Sequence, residues 1–123
     1  MRRVLPNDLS HGIALFNHAA FFEAHEALED AWRAAPAAEK KFLQGLIQIA
    51  VALHHHGKGN SAGARSVLRR AFRNLSLYPE NFGGIQSAGL LKSISDWQCA
   101  LDEGTPMPPL PKMQIVAGPV VSD

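Results

Sequence analysis

The chain has 123 residues and a formal net charge of +1, and 46% of its residues are hydrophobic and 19% charged. This length predicts one domain with a core large enough to fold without disulfide or metal staples. The composition excludes a disordered chain, and the nearly neutral charge argues against a nucleic-acid-binding protein.

Cysteine usage and the N-terminal sequence bear on the compartment. The single cysteine, Cys99, cannot form an intramolecular disulfide and fits a reducing cytosol. Arg2 and Arg3 are not followed by an apolar stretch, so we expect no signal peptide. The longest apolar run, from Leu46 to Leu53, is far too short to span a bilayer. We therefore expect a cytoplasmic protein with no membrane partner.

Helical periodicity and breaker residues predict the first two helices. A short first helix carries Leu9, Ile13 and Phe16 at helical spacing, and it breaks near Asn17. A second helix then follows and must end near Pro36, because proline cannot continue a helix.

Three more helices and a tail complete the predicted architecture. The third helix, about 38–56, is apolar or small around nearly its whole circumference, so we expect it to be central. Asn60 or Ser61 starts a fourth helix, and a fifth spans about 85–102. Prolines then forbid regular structure after Gly104. We predict an all-α bundle of about five helices over residues 1–104, with an extended proline-rich tail over 105–123 that docks on it or trails from it.

The second helix carries polar side chains where its buried face is expected. When residues are placed at about 100° per position, His25 and Glu29 fall in the middle of an apolar arc. Phe21, Phe22, Leu28 and Trp32 belong to the same arc. Burial of a histidine and a glutamate requires partners, so this helix marks a structural network or a functional site.

The third helix carries a matching polar stripe formed by Gln44, Gln48 and His55. Because buried polar groups need hydrogen-bond partners, we expect the two stripes to face each other as one polar seam. The candidates for a ligand pocket or polar network are His25, Glu26, Glu29, Gln44, Gln48 and His55.

Three interpretations of this seam stay open. In the first, the seam is a hydrogen-bond network, in which one unpaired group would cost about 1–3 kcal/mol. In the second, it is a pocket for a small polar ligand or a divalent metal, with His25, Glu29 and His55 as the metal ligands, although their spacing matches neither the zinc-protease helix nor the di-iron bundles. In the third, Glu29 orients His25 as the acid–base pair of a hydrolase-like enzyme whose substrate and cofactor are unknown.

The fourth helix has a basic side. It carries Arg65, Arg69, Arg70 and Arg73 opposite an apolar stripe. A solvated face is the favoured interpretation, and an anion contact or a salt-bridged seat for the acidic second helix is the alternative. No aromatic residue on this side would stack bases, so nucleic acid is not an expected partner. Self-association into a homo-oligomer through surplus apolar faces of the third and fifth helices stays open.

Three spaced blocks lie within residues 9–76. They are Leu15-Phe16-Asn17 followed by 22–29 and Trp32, then 42–52, then His55, Gly59-Asn60 and Gly63-Ala64. These blocks resemble a small prokaryotic family, domain of unknown function 309 (DUF309). The resemblance implies an all-α bundle and no assigned biochemistry. Its pattern includes the positions of His25, Glu26, Glu29, Trp32, Gln44, Gln48, His55, Asn60 and Gly63, so Asn60 joins the candidate residues on this ground.

Overall fold

A computed structural model describes residues 7–116, and in this part of the chain five α-helices form an all-α bundle. The helices are α1 (Asn7–Asn17), α2 (Phe21–Ala34), α3 (Ala37–Gly57), α4 (Ser61–Ser76) and α5 (Ser87–Glu103), with a 3₁₀ turn at Phe82–Gly84 between the last two. The predicted fold class is confirmed. Arg2, Arg3 and residues 117–123 of the predicted tail lie outside the described residues.

The longest helix, α3, lies at the centre of the bundle. It packs against both α2 and α4, and α5 packs against α4. Its buried residues are Phe42, Leu43, Gly45, Leu46, Ile47, Ile49, Ala50, Ala52 and Leu53. Neither α3 nor any other helix between residues 7 and 116 is long and apolar enough to cross a membrane.

A tight turn joins α1 to α2 and is formed by backbone hydrogen bonds. The amide of Ala20 donates to the carbonyl of Leu15 at 2.9 Å, and that of Ala19 donates to Phe16 at 2.9 Å. This pair of bonds is the Schellman motif, which places one residue in the left-handed region. That residue is Ala19, with φ of 63°. The predicted break near Asn17 is therefore confirmed, and backbone bonds close the turn.

Residues 105–116 form no helix, and they contact the bundle. The side chain of Asn17 makes two hydrogen bonds to the backbone of Met113, whose own side chain is buried. The indole Nε1 of Trp97 donates to the carbonyl of Pro109 at 3.0 Å. These contacts attach this segment to α1 and α5. The division of the whole chain into a bundle domain, 1–104, and a tail, 105–123, stays a prediction.

Candidate functional site

The buried face of α2 does not coincide with the arc predicted from the sequence. Its buried residues are Ala24, Leu28 and Ala31. The side chains of His25 and Glu29 are 29% and 39% exposed, so both lie at the edge of the buried face. The prediction that they occupy its middle is wrong. Leu28 of the predicted arc is buried, and Phe21 and Trp32 pack against the core, whereas Phe22 is exposed.

His25 and Glu29 belong to a network of polar contacts on the surface of α2. The Nε2 atom of His25 lies 3.2 Å from Oε2 of Glu29, one helical turn away. Arg33 contacts Oε1 of Glu29 at 3.4 Å and Oδ1 of Asp30 at 2.7 Å. Exposed pairs of this kind contribute about 0–1 kcal/mol each to stability, because solvent screens them. The network therefore positions these side chains more than it stabilises the fold.

The polar stripe of α3 does not meet the polar residues of α2. Gln44 is exposed, and Gln48 is half-buried on the side of α4, where its Oε1 accepts a hydrogen bond from Asn74 Nδ2 at 2.9 Å. The half-buried His55 makes no side-chain hydrogen bond or ring contact with α2 in the described structure. The predicted seam between α2 and α3 is therefore not formed. Gln44 faces solvent and Gln48 faces α4, so neither glutamine contacts the polar side chains of α2.

Asn60 and Gly63 have a structural role at the start of α4. The side-chain Oδ1 of Asn60 accepts a hydrogen bond from the amide of Gly63 at 2.9 Å, which caps the helix. A Cβ at position 63 would lie 2.5 Å from Nδ2 of Asn60, so glycine leaves room for this cap. Their presence in the family pattern is explained by the geometry of the helix start. Whether Asn60 also contacts a ligand stays a prediction.

The predicted metal ligands are not arranged as a metal site. Within residues 7–116, no group of three or more histidine, cysteine, aspartate or glutamate side chains lies close enough to hold one ion. His25 and Glu29 are adjacent, but His55 does not join them. A divalent cation, like any other cofactor, stays a prediction that this donor arrangement does not favour.

The structure instead brings aromatic residues and two histidines together between α2 and α3. A cavity of about 150 Å³ is lined by Phe21, Phe22, His25, Val51 and His54, and we call it the Phe22 groove. Phe22 is 51% exposed. Its ring centroid lies 5.8 Å from that of His54 and 6.5 Å from that of His25.

Sequence reasoning identified His25 but missed Phe22 and His54 as parts of this groove. Phe22 was assigned to the buried arc, and His54 does not share the glutamine stripe of α3. A usable signal existed, since Val51 and His54 are three residues apart and therefore share one helix face. A shallower depression of about 370 Å³ adjoins the groove, and it reaches His56, Lys58 and Leu110 of the tail segment.

Two oppositely charged surfaces flank the bundle. On α2, Glu23 and Glu26 are exposed and form no ion pair with any residue of the described part. On α4, Arg69, Arg70 and Arg73 are exposed and equally without an ion pair there, and we call these three residues the arginine face. The surface of the chain thus carries unpaired acidic side chains on α2 and unpaired basic side chains on α4 within the described residues.

Arg65 differs from the other arginines of α4. Its Nε lies 2.9 Å from Oδ1 of Asp102, and its Nη2 donates to the carbonyl of Leu101 at 3.3 Å. It therefore connects α4 to α5. No ion pair joins α4 to α2 among residues 7–116, so the alternative that the basic helix seats the acidic second helix within one chain is wrong.

Fold and groove together define a small helical-bundle domain with a half-exposed aromatic groove. Residues 9–67, just under half of the chain, match the model of the family described as "Domain of unknown function (DUF309)". The resemblance inferred from the spaced blocks is confirmed over these residues.

Two curated proteins are similar to part of this chain. The "Uncharacterized protein YpuF" of Bacillus subtilis is 43% identical over 56 residues, which are 45% of this chain and 32% of that protein. An "Uncharacterized protein" of Aquifex aeolicus is 38% identical over 71 residues, which are 57% of this chain and 21% of that protein. The match spans about a third or less of the length of these curated relatives.

Proposed function

We propose that this domain is a protein-interaction module whose Phe22 groove receives one apolar side chain of a partner. The observation that carries the proposal is the 51% exposure of Phe22 above a cavity between two helices. Full burial of such a side chain contributes about 1.5–3 kcal/mol, so a partner that covers the ring gains affinity. Half-exposed aromatic residues beside a groove are typical of contact surfaces.

The size of the groove favours a side chain over a free small molecule. Sites for drug-sized ligands usually enclose about 300–1,000 Å³. The Phe22 groove has about 150 Å³. The adjoining depression is larger but lies open to solvent. A single leucine-sized group therefore suits the groove better than the small polar ligand expected from the sequence.

The charges around the groove indicate a basic partner. Glu23 and Glu26 follow Phe22 on α2, and both carboxylates are exposed without an ion pair in the described part of the chain. An amphipathic helix that lies along α2 would place its apolar residue in the groove and its lysines or arginines beside these carboxylates. The partner class is therefore a basic amphipathic helix.

A labelled synthetic peptide tests this proposal. The peptide is a helical sequence that carries one leucine and two arginines at four-residue spacing, and its fluorescence anisotropy is measured against the chain at low salt. We expect binding by the wild type and at least a tenfold weaker affinity for Phe22→Ser. Ile115→Ser is the matched control, because it removes another exposed apolar side chain that does not line the groove. Equal binding by wild type and Phe22→Ser would contradict the proposal.

A second candidate function is hydrolase-like acid–base chemistry. The 3.2 Å contact between His25 Nε2 and Glu29 Oε2 at the rim of the groove favours it. A carboxylate at this distance orients an imidazole, whose other nitrogen then accepts or donates a proton. Turnover of p-nitrophenyl esters is compared for wild type and His25→Gln, with Glu23→Gln as control. Loss of turnover only in His25→Gln supports this candidate, and no turnover by the wild type rejects it.

A further inference from the structure

The arginine face continues into an exposed apolar side chain at the end of α4. Arg69, Arg73 and Leu77 are four residues apart, so they follow one side of the helix. Leu77 keeps a helical backbone, with φ of −74° and ψ of −11°, and it is 64% exposed. From the C-terminal end of α4, the order of side chains is therefore apolar, basic and basic.

The outer side of α2 has the complementary order. Phe22, Glu26 and Asp30 are also four residues apart, and all three are exposed. From the N-terminal end of α2, the order is apolar, acidic and acidic. The apolar position is the one that opens into the Phe22 groove.

An antiparallel arrangement brings these two sides into register. When Leu77 is placed at the Phe22 groove, Arg73 falls beside Glu26, and the next step brings Arg69 beside Asp30. Each step is four residues on both helices, or about 6 Å at about 1.5 Å per residue. The paired residues therefore stay at the same height along the two helix axes. Antiparallel pairing also sets the negative end of α4 next to the positive end of α2.

We infer that a second copy of this chain is a partner of the Phe22 groove, with α4 of one copy lying antiparallel along α2 of the other. This inference rests on the proposed function. The two surfaces belong to different helices and are both exposed in one copy, so each copy offers a groove and a filling residue. Contacts between two different surfaces join copies head to tail, into rings or open chains.

The interaction is expected to be weak and sensitive to salt. Its charged residues are exposed, and solvent ions screen exposed charges strongly. Sedimentation velocity of the full chain at low salt is therefore the first measurement. We expect association that increases with protein concentration and disappears at about 1 M salt, where the screening length is about 3 Å.

Charge reversal distinguishes this contact from other modes of association. Glu26→Arg places like charges at the contact, and so does Arg73→Glu, so each variant alone is expected to sediment as a monomer. An equimolar mixture of the two is expected to associate again, because opposite charges then meet at every contact. Lys92→Glu on α5 is the matched control and should associate like the wild type. Both test positions are exposed, and circular dichroism of each variant is the check that it is folded.

The outcomes separate this inference from the proposed function. A wild-type chain that stays monomeric at low salt and high concentration overturns self-association, and so does a mixture of variants that fails to associate. If such a chain still binds the leucine–arginine peptide through Phe22, the interaction module stands and its partner is another protein. Failure of both measurements rejects both proposals.

Discussion

The side-chain amide of Asn17 pairs with the backbone of Met113, 96 residues further along the chain. Its Nδ2 donates to the carbonyl of Met113 at 3.0 Å, and its Oδ1 accepts from the amide of Met113 at 2.8 Å. The Met113 side chain is 1% exposed, so the amide pair fixes the position of a core residue. The end of α1 thereby holds the tail segment on the bundle.

Replacement of Asn17 tests this attachment. We expect Asn17→Ala to lower the free energy of unfolding by about 1–3 kcal/mol, because both backbone groups of Met113 lose their side-chain partner. Urea denaturation measures the loss, and limited proteolysis should cut the tail segment sooner. Asn17→Asp keeps the acceptor but not the donor, so its stability should fall between that of the wild type and that of Asn17→Ala. Unchanged stability in Asn17→Ala would show that the tail is held by other contacts.

The Schellman turn predicts a stabilising substitution. Ala19 has φ of 63°, a region that costs about 1–2 kcal/mol for a residue with a Cβ. Glycine avoids this cost but loses more entropy on folding, about 0.5–1 kcal/mol. We therefore expect Ala19→Gly to raise the free energy of unfolding by up to about 1 kcal/mol in thermal or urea melts. Ala14→Gly, inside α1, should lower it instead, and a loss in both variants would contradict the assigned turn.

Two glycines in helices should respond to alanine in opposite ways. A Cβ at Gly45 would lie 2.8 Å from Cγ of Leu75, where α3 meets α4. We expect Gly45→Ala to destabilise the chain by about 1–3 kcal/mol through overpacking. At Gly89 in α5 a Cβ would meet nothing within 4 Å, so Gly89→Ala should stabilise by about 0.5–1 kcal/mol. Differential scanning calorimetry compares them, and shifts of the same sign would contradict the close contact of α3 and α4.

The partner of Gln48 can be tested by a double-mutant cycle. Its hydrogen bond with Asn74 predicts a coupling energy of about 0.5–1.5 kcal/mol between Gln48→Ala and Asn74→Ala. The exposed Gln44 makes no such bond in the described structure, so Gln44→Ala and Asn74→Ala should be additive. Coupling of Gln48 to His25 rather than to Asn74 would contradict this contact and support the polar seam predicted from the sequence. Chemical denaturation of the single and double variants provides the energies.

Local spacing was sufficient for the helices but not for the site. The break near Asn17 and the cap at Asn60 were predicted because caps and breakers act within one helical turn. The face of α2 was misjudged because its arc was drawn to include large aromatic side chains such as Phe22, which is exposed. The closest contacts are made by small residues, as at Gly12, where a Cβ would lie 2.8 Å from Leu28.

The sequence by itself determined an all-α fold, the order of its helices, the central place of α3 and the resemblance of residues 9–67 to the DUF309 family. These properties follow from periodicity, capping and composition, which depend on neighbours a few positions apart. Only the tertiary structure decided that Gln48 turns to α4, that Phe22 is half exposed beside His54, and that Asn17 binds Met113. Burial and hydrogen bonding depend on the shape of the surface packed against a residue, and positions far apart in the chain supply that surface.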